Sequence, residues 1–94
     1  MPTIAWWPGK IKENSSSAHL SAFWDIMPTL AQLAQVERPV DTDGISLLPA
    51  LLSSGEQKSH QHLYWEFHHN NGDHAQAIRL DDEKGHWKAV RLYN

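Results

Sequence analysis

The chain has 94 residues, of which 40% are hydrophobic and 20% charged, with a formal net charge of −3. Such a composition describes one small globular domain or a part of one, able to bury roughly 60–65% of its unfolded surface, and excludes a disordered tail, a collagen-like fibre and a coiled coil. Eight scattered Lys and Arg residues against eleven Asp and Glu offer no footprint for nucleic acid or an anionic membrane, and the absence of cysteine excludes a disulfide staple, a Cys-ligated zinc and a thiol nucleophile.

In chain order, residues 3–7 are β-branched and aromatic and end at Pro8-Gly9, which predicts a strand stopped by a turn. Residues 10–17 are polar and predict an exposed loop. Residues 25–35 predict the main helix, with Asp25 as N-cap and Pro28 at N3, where its missing N–H removes no intrahelical bond. Ile26, Met27, Leu30, Leu33 and Ala34 form one apolar stripe, the pattern of a helix lying on a sheet. Gln35 stands where a C′ glycine is expected, so the stop is assigned to Val36 and Pro39.

Residues 40–44 are a turn cluster, and residues 45–52, interrupted by Pro49, predict a short helical turn that docks Leu47, Leu48, Leu51 and Leu52. That apolar stretch falls far short of the roughly 20 residues of a membrane span. Residues 62–68 alternate, with Leu63, Trp65 and Phe67 on one side and Tyr64, Glu66 and His68 on the other. After an Asn70-Asn71-Gly72-Asp73 turn come two more strand-like runs, 75–80 and 87–93, joined by a loop at 81–85. The predicted fold class is α+β: a small antiparallel β-meander with one main helix.

Taken in order, four groups of residues resemble the C-terminal part of the sulfatase family. They are Trp7-Pro8-Gly9-Lys10-Ile11-Lys12, then Asp25-Ile26-Met27-Pro28-Thr29-Leu30, then Asp43-Gly44-Ile45-Ser46-Leu47-Leu48-Pro49, and finally Tyr64-Trp65-Glu66-Phe67 with Gln76-Ala77-Ile78-Arg79 and Trp87-Lys88-Ala89-Val90-Arg91. The resemblance implies an alkaline-phosphatase-like sulfuric ester hydrolase with a large α/β domain and a smaller antiparallel subdomain. Residues 1–40 then resemble the edge strand and helix of the large domain, and residues 41–94 the start of the C-terminal subdomain.

The same resemblance implies a formylglycine, made from Cys or Ser in a Cys/Ser-x-Pro-x-Arg motif, and a divalent metal, calcium or magnesium. Neither the motif nor a cysteine occurs in this sequence, so no catalytic residue and no cofactor is assigned to it. Gly72-Asp73-His74 and Asp81-Asp82 echo metal motifs of the superfamily, but they fall in the turns of the meander, where Asn, Asp and Gly serve the backbone. Seven histidines raise the question of a metal site, yet no zinc-finger or His-Glu-x-x-His spacing is present.

The candidate substrate-binding residues are Trp65, Glu66, His68 and Arg79 on adjacent strands, an aromatic platform, a hydroxyl acceptor and cationic donors suited to an anionic carbohydrate. The competing reading puts Trp65 and Phe67 in a core and pairs Glu66 with Arg79 across strands. The expected function is that of a C-terminal sulfatase fragment, inactive alone, contributing packing and one wall of a substrate cleft, with the rest of the sulfatase chain and sulfated carbohydrate as partners. The alternative is a stand-alone binding module for sulfated or acidic glycans. Self-association through exposed apolar surface is a further expectation. No basic-then-apolar leader is visible from Met1 onward, and the family occupies several compartments, so location stays open.

Overall fold

The structure, a computed structural model, describes residues 2–93; Met1 and Asn94, at the ends of the predicted span, lie outside it. These residues hold a 3-10 turn at Phe23–Asp25, helix α1 at Ile26–Leu33, helix α2 at Leu48–Leu52, and strands β1 at Leu63–His68, β2 at His74–Asp82 and β3 at Gly85–Tyr93. The class is α+β. The chain divides into two compact units between Ser59 and His60. The boundary at 40/41 concerned the domains of a parent enzyme; the compact units of this chain break nearly twenty residues later, because Ile45 and Leu47 are hydrogen-bonded to Asp25 and Thr29 at the start of α1 and Ser46 and Ala50 to Gln57.

In the first unit, residues 3–7 are not the predicted strand. They pair with no ladder among the described residues, and Ile4 and Trp6 stand exposed. Residue preference alone does not make a strand, since every ladder hydrogen bond needs a neighbouring backbone. The turn that follows is as predicted: the Lys10 and Ile11 amides donate to the Trp7 carbonyl at 3.1 and 2.9 Å, and Gly9 takes φ +75°.

Asp25 does not cap α1 with its side chain. A 3-10 turn precedes the helix, and the carboxylate reaches back, accepting the Ala22 amide on Oδ2 at 2.8 Å. Its other oxygen accepts the Ile45 amide at 2.8 Å. Thr29, one turn on, donates to the Asp25 carbonyl at 2.6 Å and accepts the Leu47 amide at 2.8 Å. Both residues are buried, Asp25 completely. Two polar side chains thus clasp residues 45–47 against the start of α1, satisfying backbone donors that burial would otherwise leave unpaired. Gly44 completes the fit, because a Cβ there would stand 2.0 Å from the Trp24 carbonyl oxygen and 2.9 Å from the Pro28 ring.

The clasp also decides which side of α1 is packed. Pro28, Thr29 and Ala31 are buried, whereas Met27 and Leu30 of the predicted stripe are 60% and 58% exposed. The stripe is real as a pattern, but this chain does not cover it. The helix end differs from expectation as well. Gln35 itself adopts φ +56°, its amide donates to Gln32 at 3.2 Å, and the Val36 amide donates to Ala31 at 3.1 Å, the paired bonds of a Schellman stop with glutamine in the glycine position. The predicted turn at 45–52 is α2, with Pro49 inside its first turn and its leucines half-buried.

The second unit is the predicted meander, antiparallel in the order β1-β2-β3. Its first hairpin closes through His69 and Gly72, whose amides donate to Asp73 and His69 at 2.8 and 3.1 Å. The second is tighter than the loop expected at 81–85. Asp82 Oδ1 accepts the Lys84 and Gly85 amides at 2.8 and 3.0 Å, so pairing runs on to Asp82 opposite Gly85. Among the described residues no helix is long and apolar enough to cross a membrane.

Candidate functional site

The register of the meander decides which side chains meet. Trp65 faces Ala77, Leu63 faces Arg79, Glu66 faces Gln76 and His68 faces His74. Directly opposed residues share a face and successive residues alternate. Trp65 and Arg79 therefore lie on one face of the sheet, and Glu66 and His68 on the other. The four candidate residues do not converge on one surface, and the Glu66–Arg79 cross-strand pair does not form.

On the Glu66 face a polar and aromatic row crosses all three strands. Tyr64 donates its hydroxyl to Glu66 Oε2 at 3.1 Å, and Gln76 Nε2 donates to the Tyr64 hydroxyl at 2.8 Å and to Glu66 Oε1 at 3.3 Å. Desolvation, followed by the hydrogen bond and charge of Glu66, raises the Tyr64 pKa above its ordinary 10.0. His68 Nε2 lies 3.4 Å from Glu66 Oε1. Its ring stacks on His74 at 5.3 Å, His74 stacks on Tyr93 at 3.9 Å, and the Arg91 guanidinium sits 4.1 Å from the Tyr93 ring centre. Tyr64, Gln76, His74, Arg91 and Tyr93 were not among the sequence candidates. Only a known register brings them beside Glu66 and His68, and register depends on turn lengths that composition does not reveal.

The Trp65 face is apolar at one end and charged at the other. Phe67, Val90 and Leu92 are exposed there, and Trp65 is 39% exposed, so the aromatic core expected of Trp65 and Phe67 is absent. Toward the second hairpin, Arg79 stands directly opposite Lys88 and Asp81 opposite His86. Asp81 Oδ1 is 3.9 Å from Arg79 Nε and 3.0 Å from His86 Nδ1. That oxygen is buried and accepts no well-aligned hydrogen bond, so proximity to the cations, His86 once protonated, is what compensates it.

The acidic turns do backbone work. Asp82 Oδ1 takes the Trp87 indole N–H at 3.1 Å besides two amides, and these donors, the indole first, hold the Asp82 carboxyl below its ordinary 3.8. Asp73 accepts from the Asn71 amide group at 2.7 Å. Among the described residues no three His, Cys, Asp or Glu side chains converge as a metal site. The donor set does not fit a divalent cation, and a formylglycine has no precursor motif here.

The family model described as N-sulphoglucosamine sulphohydrolase, C-terminal, matches residues 1–94. This chain belongs to the sulfatase family, within its C-terminal region. Over 88 residues it is 35% identical to the N-acetylgalactosamine-6-sulfatase of Canis lupus familiaris, covering 92% of this chain and 16% of that protein. It is 32% identical over 91 residues to the steryl-sulfatase of Mus musculus, covering 95% of the chain and 14% of the relative. With the N-acetylglucosamine-6-O-sulfatase of Bacteroides thetaiotaomicron it is 29% identical over 96 residues, covering 100% and 17%. The sulfatase chain thus spans about a sixth of the length of the curated relatives it matches. The Asp25–Thr29 clasp and Gly44 give a physical account of why Asp-x-x-Pro-Thr and Asp-Gly-Ile-Ser belong together in this sulfatase sequence.

Proposed function

We propose that this chain works as the C-terminal portion of a larger sulfatase polypeptide, inactive alone, supplying packing surface and one wall of the substrate cleft. The observation that carries the reading is the match of the whole chain to a sulfatase C-terminal family while it spans 14–17% of its relatives. In support, the uncovered stripe of α1 and the apolar part of the Trp65 face are surfaces suited to burial against a larger body. Residues 3–7, β-branched and aromatic and without a ladder among the described residues, suit an edge strand of the large domain, with residues 1–40 attached to that domain and residues 41–94 opening the small one.

The formylglycine and the calcium or magnesium would be held elsewhere in such an enzyme, where they supply the nucleophile and the charge for sulfate ester hydrolysis. This chain would bind and position. Assaying the 94-residue chain with an aryl sulfate in the presence of calcium or magnesium tests the reading. No turnover is expected; sustained metal-dependent hydrolysis overturns it.

A further inference from the structure

The two faces of the meander differ in how their charges are matched. On one, Glu66 is hydrogen-bonded to Tyr64 and Gln76, and Asp82 to the Trp87 indole, so its carboxylates have their donors. The other carries Phe67, Val90 and Leu92, which are 61%, 56% and 70% exposed, and beside them Arg79 directly opposite Lys88. Like charges so placed destabilise a sheet. Asp81 is the one carboxylate that the three strands place on this face. It lies 3.9 Å from Arg79 Nε and is shared with His86 at 3.0 Å. Lys88 is exposed and has no ion-pair partner among the described residues.

An apolar patch bordered by an excess cation restricts what can cover it. The apolar side chains favour burial, but covering Arg79 and Lys88 with apolar groups alone would desolvate two neighbouring cations and strengthen their repulsion. A carboxylate seated between the guanidinium and the ammonium removes the repulsion and gains charge-assisted hydrogen bonds, of which Arg can offer a bidentate pair. A second copy using the same face brings no free carboxylate to it, because its own Asp81 is engaged and its own cations add to the charge. The chain spans 14–17% of its relatives, so in a protein of their length most of the surface able to supply that carboxylate lies outside residues 1–94.

We infer that the face of Phe67, Arg79, Lys88, Val90 and Leu92 docks against an apolar segment of the remaining sulfatase polypeptide that presents an Asp or Glu side chain to the Arg79–Lys88 pair. The inference rests on the sulfatase reading, which it deepens by naming the packing surface and the chemistry of its partner.

The test compares Lys88 in the 94-residue chain, diluted until monomeric, with Lys88 in the complete polypeptide, by reductive methylation read in peptide mass spectra. Labelling slowed about tenfold or more in the complete polypeptide is expected of an ammonium held by a covered carboxylate; equal labelling overturns the inference. Lys88→Glu gives a second reading. In the free chain it sets opposite charges across the strands and raises the melting temperature by about 1–6 °C. In the complete polypeptide it meets the docked carboxylate and lowers the melting temperature; a rise or no change there overturns the inference. So does a slowing of Lys88 labelling that appears in the free chain as its concentration rises and is no greater in the complete polypeptide, since the occupant is then a second copy. A complete polypeptide that protects Lys88 but hydrolyses no sulfate ester defeats the sulfatase reading and leaves the docking face standing, whereas turnover with Lys88 freely labelled defeats the docking face alone.

Discussion

The carboxylate of Asp25 accepts the amide of Ile45 at 2.8 Å across twenty residues of sequence. It does so while fully buried and while holding the Ala22 amide with its other oxygen. Replacing Asp25 with Ala leaves two part-buried donors unpaired, at about 1–3 kcal/mol each at most. Urea denaturation should show a loss of about 2–5 kcal/mol. A loss under 1 kcal/mol would mean that water replaces the clasp. Gly44→Ala should be comparably damaging, because its Cβ meets backbone rather than a yielding side chain.

Thr29 has two roles on one hydroxyl, donor to the Asp25 carbonyl and acceptor from the Leu47 amide. Thr29→Val keeps the shape and removes both, and should cost about 1–3 kcal/mol. Thr29→Ser should recover most of that in the same melts. A neutral Thr29→Val beside a costly Thr29→Ser would show that the methyl group, not the hydroxyl, matters.

Gln35 holds the left-handed position of the helix stop. Glycine there carries no Cβ penalty, so Gln35→Gly should stabilise the chain by about 0.5–1 kcal/mol, read as a higher denaturation midpoint at unchanged slope. A lower midpoint would refute the stop as described.

Asp82 gives a pH dependence with a definite sign. The Trp87 indole and the Lys84 and Gly85 amides favour its charged form, so its folded pKa lies below the ordinary 3.8. The stabilisation is present above the unfolded value and is lost as pH falls through the folded one. The Trp87 indole NMR signal should therefore titrate below the usual carboxylate range, and Asp82→Ala should remove that titration. A midpoint at or above 3.8 would contradict the clamp.

Phe67 and Leu92 are 61% and 70% exposed on the sheet face that carries Trp65. In the isolated chain this face should promote association, and Leu92→Lys should lower the weight-average mass in sedimentation velocity without lowering stability. Destabilisation by the same variant would place Leu92 in a packed core instead.

Much of the fold was legible in local patterns. Alternation over 62–68 and Asn-Gly-Asp turn residues announced the meander, and the spacing of Ile26, Met27, Leu30 and Leu33 announced α1. The candidate site was legible only as a set of residue types. Trp65, Glu66, His68 and Arg79 are chemically apt, but a period of two sends Trp65 and Glu66 to opposite faces, and the partner of Arg79 depends on how tightly Asp82 closes the second hairpin. Lys88 was therefore invisible as its companion.

By itself the sequence determined the class, the order of the elements and the family, because these follow from short-range periodicity, turn chemistry and motif order. The tertiary structure alone decided that Asp25 ties two distant segments rather than capping its own helix, that α1 packs its Pro28–Thr29–Ala31 side and leaves its apolar stripe uncovered, and that residues 3–7 join no ladder among the described residues. The physical reason is common to all three. A hydrogen bond or a buried face is completed by atoms far away in sequence, and which atoms arrive is set by packing rather than by the residue that waits for them.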